Sequence, residues 1–220
     1  MSASRPTAQP PAFELAVVVA SLGGLPPVST LLAGLPATFP VPLVVLQHRH
    51  PTGRPDGLAW LLAARTALPV RTAWDGMSLD TLGVTVIPPG SAAAVSPGRR
   101  LGLQPSTEWT GPERTDGDAL LATAATTAAS GGVIAVVLSG RMRDGSAGVR
   151  AVKRHGGRVL VQDPATARAP GMPTSAIATG CADFVLPAQR MSAALIALAM
   201  APGGAQLLTV PPPHWAQVSA

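Results

Sequence analysis

Three uninterrupted aliphatic runs constrain this chain most: LAVVVA at Leu15–Ala20, LVVL at 43–46 and VIAVVL at 133–138. None alternates apolar with polar residues, so none suits a strand with one wet face. Short, Val-rich and apolar throughout, they read as strands buried on both sides. Strands of that kind belong to parallel sheets with helices laid over both faces. Each run stops at a polar residue: Ser21 follows the first, Gln47 and His48 the second, Ser139 the third.

The segments between them complete the pattern. Helices are expected over 26–33, 56–67, 118–129, 145–155, 173–179 and Ala188–Met200, the last carrying Met191, Ala194, Leu195 and Leu198 at helical spacing. Further strands are expected at 83–87, 101–103, Arg158–Gln162 and 183–186. Alternation of this kind implies an α/β fold, a doubly wound, Rossmann-like, mostly parallel sheet with helices on both faces. The Pro-Gly turns at 89–90 and 97–98 suggest a small antiparallel excursion over 83–103. Residues 1–13 read as a disordered leader, 14–201 as one catalytic domain and 202–220 as a Pro/Gly-rich tail.

Of the 220 residues 47% are apolar, enough for a large core, but aromatics are 3% and tyrosine is absent. The net charge of +5 raises nucleic acid as a partner, but only 12% of residues are charged and the basic ones are scattered. With no basic stripe and no aromatic platform, nucleic-acid binding is not expected. No signal peptide or membrane-length apolar stretch stands out, so the expectation is a cytoplasmic protein without membrane insertion. Cys181 is the sole cysteine, which leaves no disulfide framework and no Cys-based metal site. No cofactor is expected.

In open parallel sheets the working crevice lies beyond the carboxyl ends of the strands. Ser21, His48 and Asp144 all fall there, and together they make a nucleophile, a base and an acid to orient the base. Plainer readings exist for each: Ser21 as a helix cap, Asp144 as the cap of the helix at 145, His48 as an ordinary strand-end residue. The glycines at 23 and 24 tip the balance, because they let a tight turn present the serine. The segment is neither G-x-S-x-G nor G-x-G-x-x-G, and no acid near position 40 would hold a ribose. Nucleotide binding is therefore the weaker competitor. Backbone N–H groups near Leu22 and Arg141 are the expected oxyanion donors.

At these residues the sequence resembles the CheB family of chemotaxis methylesterases. ASLGG at 20–24 is similar to the family's A-S-T-G-G, LQH at 46–48 to V-Q-H, and LSGRMRDGSAG at 138–148 to L-T-G-M-G-x-D-G-x-x-G. Downstream stand the glycines 156 and 157, VQD at 161–163 and GMPTSA at 171–176, with PPGS at 88–91 echoing A-P-G-G. The resemblance implies that Ser21 is the nucleophile, His48 the base and Asp144 the acid, with Leu22, Gly23, Arg141 and Met172 lining the site. It also implies a protein-glutamate methylesterase acting on methylated receptor helices, with glutamine deamidation in some members.

Three departures stand out. Leu22 replaces the family's Thr, Arg141-Met142 replaces Met-Gly, and the histidine after A-P-G-G is replaced within 92–94. They leave the three polar residues in place and motivate a competing reading, a CheB-like binding module. The receiver domain common upstream in the family is expected to be missing, which implies constitutive activity or control by a separate regulatory chain. Arg49, Arg141 and Arg143 are expected at the substrate entrance, facing an acidic partner. His50 reads as a loop residue, His155 as a helix end, Cys181 as core, and His214 and Trp215 as part of the tail.

Overall fold

The computed structural model describes residues 12–51, 57–106, 115–129, 132–201 and 204. Residues 1–11 of the leader expected over 1–13, Asp56, and His214 and Trp215 in the tail lie outside the described residues, while Phe13, expected in that leader, is buried in the core. The chain runs β1 (Leu15–Ala20), α1 (Leu25–Ala33), β2 (Leu43–Gln47), α2 (Leu58–Ala63), β3 (Val70–Thr72), β4 (Met77–Ser78) and β5 (Val84–Val86). It continues β6 (Ser91–Ser96), β7 (Arg100–Pro105), α3 (Asp116–Thr127), β8 (Val133–Val137), α4 (Ser146–Arg154), β9 (Arg158–Gln162), α5 (Gly171–Ala178), β10 (Phe184–Leu186) and α6 (Ala188–Met200).

Seven strands form one parallel sheet in the order β10-β9-β8-β1-β2-β5-β3. Strand period two divides each run between two cores. Leu15, Val17 and Val19 of β1 pack with Val133, Ala135 and Val137 of β8 against α3, α4 and α5. Ala16, Val18 and Ala20, with Ile134 and Val136, face α1, α2 and α6 on the other side. Every residue of β1 and β8 is buried, so uninterrupted apolar sequence and two-sided burial are the same fact. Burying each such Val or Leu contributes about 1.5–3 kcal/mol.

The antiparallel excursion exists but takes other residues than expected. Val84, Thr85 and Val86 are buried between β2 and β3 in the parallel sheet, so 83–87 is not part of it. The small sheet is β4-β7-β6, spread over 77–105. Its β6 is largely alanine, a weak strand former, and only the register with β7 brings Ala93 and Val95 into the core. α2 is also shorter than the apolar spacing suggested, ending at Ala63 ahead of Pro69. Among the described residues no helix is long and apolar enough to cross a membrane.

Chain order in the sheet reverses about β1. The path steps out through β2 to one side, then returns to build β8 and β9 on the other. The crevice at such a switch point lies over the carboxyl ends of β1 and its neighbours.

Candidate active site

Ser21 is the first residue past β1, and His48 the first past β2. In the parallel register Ala20 pairs with Gln47, so the two stand one step beyond matched positions, and the His48 N–H donates to the Ala20 carbonyl at 2.9 Å. Ser21 opens a tight turn: its carbonyl accepts the Gly24 N–H at 2.9 Å, and Gly23 adopts φ +73°. A positive φ at the third residue marks a type II turn and favours glycine. Space demands glycine as well, because a Cβ on Gly23 would lie 2.6 Å from Arg168 Cβ and 2.9 Å from Ser139 Oγ.

Residues that sequence reasoning did not single out hold this turn. Gln47 Nε2 donates to the Ser21 carbonyl at 2.6 Å, tying the turn to the end of β2. Ser139, fully buried, accepts the Ala169 N–H at 2.9 Å on Oγ and donates to the Leu22 carbonyl at 2.8 Å. Its own N–H donates to Gln162 Oε1 at 2.9 Å. The available signal was a polar residue directly after an aliphatic run, since a buried polar group must find partners.

Gly140 is the tightest point. A Cβ there would overlap Met172 Sδ and come within 2.9 Å of Ser21 Cβ. Met172 is fully buried beneath the serine, and its N–H donates to the Gly140 carbonyl at 2.9 Å. Met172 thus supports the site from below. Leu22 is 42% exposed, and Arg141 is exposed at the rim. Among the described residues neither the Leu22 nor the Arg141 backbone N–H makes a hydrogen bond.

The β8–α4 connection brings Asp144 to the histidine. Asp144 Oδ2 lies 3.0 Å from His48 Nε2, with both side chains buried. The approach is close, but His48 Nε2 makes no well-formed hydrogen bond there. Among the described residues Ser21 Oγ makes no hydrogen bond to His48, and with Nε2 turned to Asp144 the nitrogen left for serine is Nδ1. Catalytic hydrogen bonds of this kind often form only once substrate binds.

The carboxylate of Asp144 is otherwise well held. It accepts N–H bonds from Gly117 (2.8 Å), Asp118 (2.9 Å) and Gly145 (2.8 Å). Gly117 and Asp118 belong to the first turn of α3, whose dipole favours a negative charge. The expected cap is therefore real, but mainly on another helix: Asp144 caps α3 rather than the body of α4. Beside it, burial pushes the Asp118 carboxyl up to about 6, with the charge of Asp144 adding to the effect against the Gly148 N–H.

Arg49 lines the cleft beside His48 but is pinned there: its guanidinium donates to the Gln47 and Ile87 carbonyls, both at 2.9 Å, and ties the ends of β2 and β5 together. Arg141 and Arg143 are exposed, as is His50. Cys181 is buried in the core, and His155 ends α4 with Nδ1 2.9 Å from the Ala151 carbonyl. A small cleft beside His48 is lined by Gln47, Arg49, Pro88, Gly90, Ser91 and Asp116. A larger cavity, about 480 Å³, lies at the opposite end of the sheet around Phe13, Glu14 and Arg99. Its lining holds no serine or histidine, whereas the smaller cleft borders His48.

Residues 16–195 match the family model described as CheB methylesterase. The chain is 37% identical over 194 residues to the protein-glutamate methylesterase FrzG of Myxococcus xanthus, covering 88% of this chain and 57% of that protein. It is 37% identical over 188 residues to a protein-glutamate methylesterase/protein-glutamine glutaminase of Anaeromyxobacter dehalogenans, covering 84% and 54%. The chain thus spans about half the length of these relatives. The crystal structure of the Thermotoga maritima CheB methylesterase catalytic domain matches with a TM-score of 0.75 at 34% identity, covering 85% of this chain and 99% of that one.

Proposed function

The chain belongs to the CheB methylesterase family, and on that premise we propose that it is a cytoplasmic serine hydrolase removing methyl esters from glutamyl side chains of chemoreceptor-type proteins. The observation that carries the reading is the buried His48–Asp144 pair at 3.0 Å, with His48 level with Ser21 on the neighbouring strand at the carboxyl end of the sheet.

Ser21 Oγ attacks the ester carbonyl while His48 Nδ1 takes its proton. Asp144 stabilises the imidazolium that forms. The oxyanion is received by the Leu22 and Arg141 N–H groups, within the turn that Gly23 and Ser139 shape. Collapse expels methanol, which takes the proton from His48 and leaves an acyl-serine. Water, activated by the same histidine, then releases free glutamate and restores Ser21. With a glutamine amide in place of the ester the leaving group is ammonia, so the proposal extends to deamidation.

A binding module without catalysis is the weaker reading. Leu22 and Arg141 depart from the family pattern in side chains that face solvent, whereas the oxyanion role asks only for their backbone N–H groups. The test is methanol release from a methylated receptor. The wild-type protein should release it and Ser21→Ala should not. Equal release by a folded Ser21→Ala would falsify the assignment.

A further inference from the structure

Helices α3 and α4 cap each other. The Asp144 carboxylate, which directly precedes α4, accepts the Gly117 and Asp118 N–H groups in the first turn of α3. In return Asp118 Oδ1 accepts the Gly148 N–H in the first turn of α4 at 2.7 Å. These second- and third-residue donors are the ones a cap side chain normally satisfies. Neither helix caps itself: Thr115 makes no side-chain cap bond, and Gly145 has no side chain to make one.

Close approach makes the exchange possible, and glycine makes the close approach possible. A Cβ on Gly117 would lie 2.7 Å from Asp144 Oδ2, and one on Gly148 would lie 2.6 Å from Leu121 Cβ and 3.1 Å from Asp118 Cα. The two aspartates and two helix starts form a closed ring, with Asp144 as the member that also touches His48.

We propose that Asp118 is a positioning residue for the reaction, fixing the start of α4 and through it the Asp144 carboxylate against His48. This rests on the reading of Asp144 as the partner of the catalytic base. Without the Asp118 acceptor the first turn of α4 would lose its side-chain bond to α3, and the 144–148 segment, with Gly145 at φ +92° as its pivot, would be tied to α3 by the N–H bonds to Asp144 and by packing. A misplacement of about 1 Å in such a constellation can cost up to about 10²-fold. The raised pKa of Asp118 fits this place: its carboxyl is partly dry and shares the two helix starts with a second acid.

The test measures kcat and KM separately on a methylated receptor, well below each variant's melting temperature. Asp118→Ala should lower kcat about 10- to 100-fold with KM nearly unchanged. Asp118→Asn, which keeps an acceptor for the Gly148 N–H, should restore most of kcat. Asp118→Glu moves the acceptor by one methylene and should lower kcat in the same sense, so the inference stays testable if the Ala variant does not fold. Wild-type kcat in both Ala and Glu variants, with only the melting temperature reduced, would make Asp118 a plain helix cap and overturn the inference. Asp144→Asn runs in parallel. If it is inactive while Asp118→Ala is not, only this inference fails; if it too is fully active, the reading of Asp144 falls and the inference with it.

Discussion

Asp144 Oδ2 lies 3.0 Å from His48 Nε2 and also accepts the Gly117 N–H at 2.8 Å, so one oxygen serves both the histidine and a helix start. Asparagine there offers one acceptor oxygen to three N–H donors and turns an amide N–H₂ toward partners that want an acceptor. Two effects should follow. The rate should fall on the order of 10⁴, the loss seen when a serine-protease triad aspartate becomes Asn. Stability should fall by about 1–3 kcal/mol for donors left unpaired. Denaturant melts beside single-turnover rates separate the two, and a variant that loses stability but keeps its rate would remove Asp144 from the chemistry.

The fold and the three polar residues were legible for the same reason. Aliphatic runs such as Leu15–Ala20 announce strands buried on two sides, and polar residues past their carboxyl ends fall at the crevice, Ser21 and His48 directly and Asp144 further along the β8–α4 connection. The supports were less visible. Ser139 and Gln47 act through buried bonds to backbone atoms 117 and 26 residues away, and no local pattern encodes a long-range partner. The carbonyl partners of Arg49 were not legible, because a strand-end arginine looks the same whether it faces solvent or folds back onto carbonyls. The alanine-rich β6 was missed because its apolar residues are too small to stand out from the rest of an alanine-rich chain.

Gly140 is a steric test of the site. Gly140→Ala should force Met172 aside or push on Ser21, since the new methyl overlaps one and comes within 2.9 Å of the other's Cβ. Overpacking of this kind costs about 1–3 kcal/mol. Activity should drop at least tenfold by geometry alone. Adding Met172→Ala to Gly140→Ala should make room below and recover part of the rate. No recovery in a folded double variant would mean that the Gly140 backbone is needed for something other than space.

Met142 holds φ +64° and is 52% exposed, at the position where the family motif carries glycine. A left-handed non-glycine residue costs about 1–2 kcal/mol, partly offset by the extra chain entropy that glycine would lose on folding. Met142→Gly should therefore stabilise the protein by up to about 1 kcal/mol, read from denaturant unfolding. A destabilised variant would show that the methionine side chain makes contacts worth more than the strain.

Arg141 and Arg49 should part company. Arg141 is exposed at the rim, so Arg141→Glu should lower kcat/KM on a receptor helix rich in glutamate and spare a small neutral ester. Added salt should weaken wild-type kcat/KM on the receptor in the same way, with kcat little changed. Arg49→Ala should instead destabilise the fold, because it frees two backbone carbonyls. Equal loss on both substrates for Arg141→Glu would place that residue in the chemistry rather than in capture.

Asp118 gives the protein a signature in its stability against pH. Its carboxyl is pushed up to about 6, first by burial and then by the charge of Asp144. In the unfolded chain the same group titrates near the ordinary 3.8. Well above pH 6 both states are ionised, and the folded state alone carries the cost of a partly buried charge. Between about pH 6 and 4 the folded state binds the proton first, so this group's contribution to stability rises as the pH falls. Below that window both states are protonated and the contribution levels off. Other groups titrate over the same range, so the useful quantity is a difference. The melting temperature of the wild type minus that of Asp118→Asn should increase as the pH is lowered from 7.5 to 5, because asparagine stays neutral throughout. Asp144 is the titratable neighbour that raises the pKa, while Arg150, Lys153 and Arg154 of α4 stand further along that helix and β6 carries no charge. A difference that stays flat across the window would mean that Asp118 ionises as an ordinary surface carboxylate.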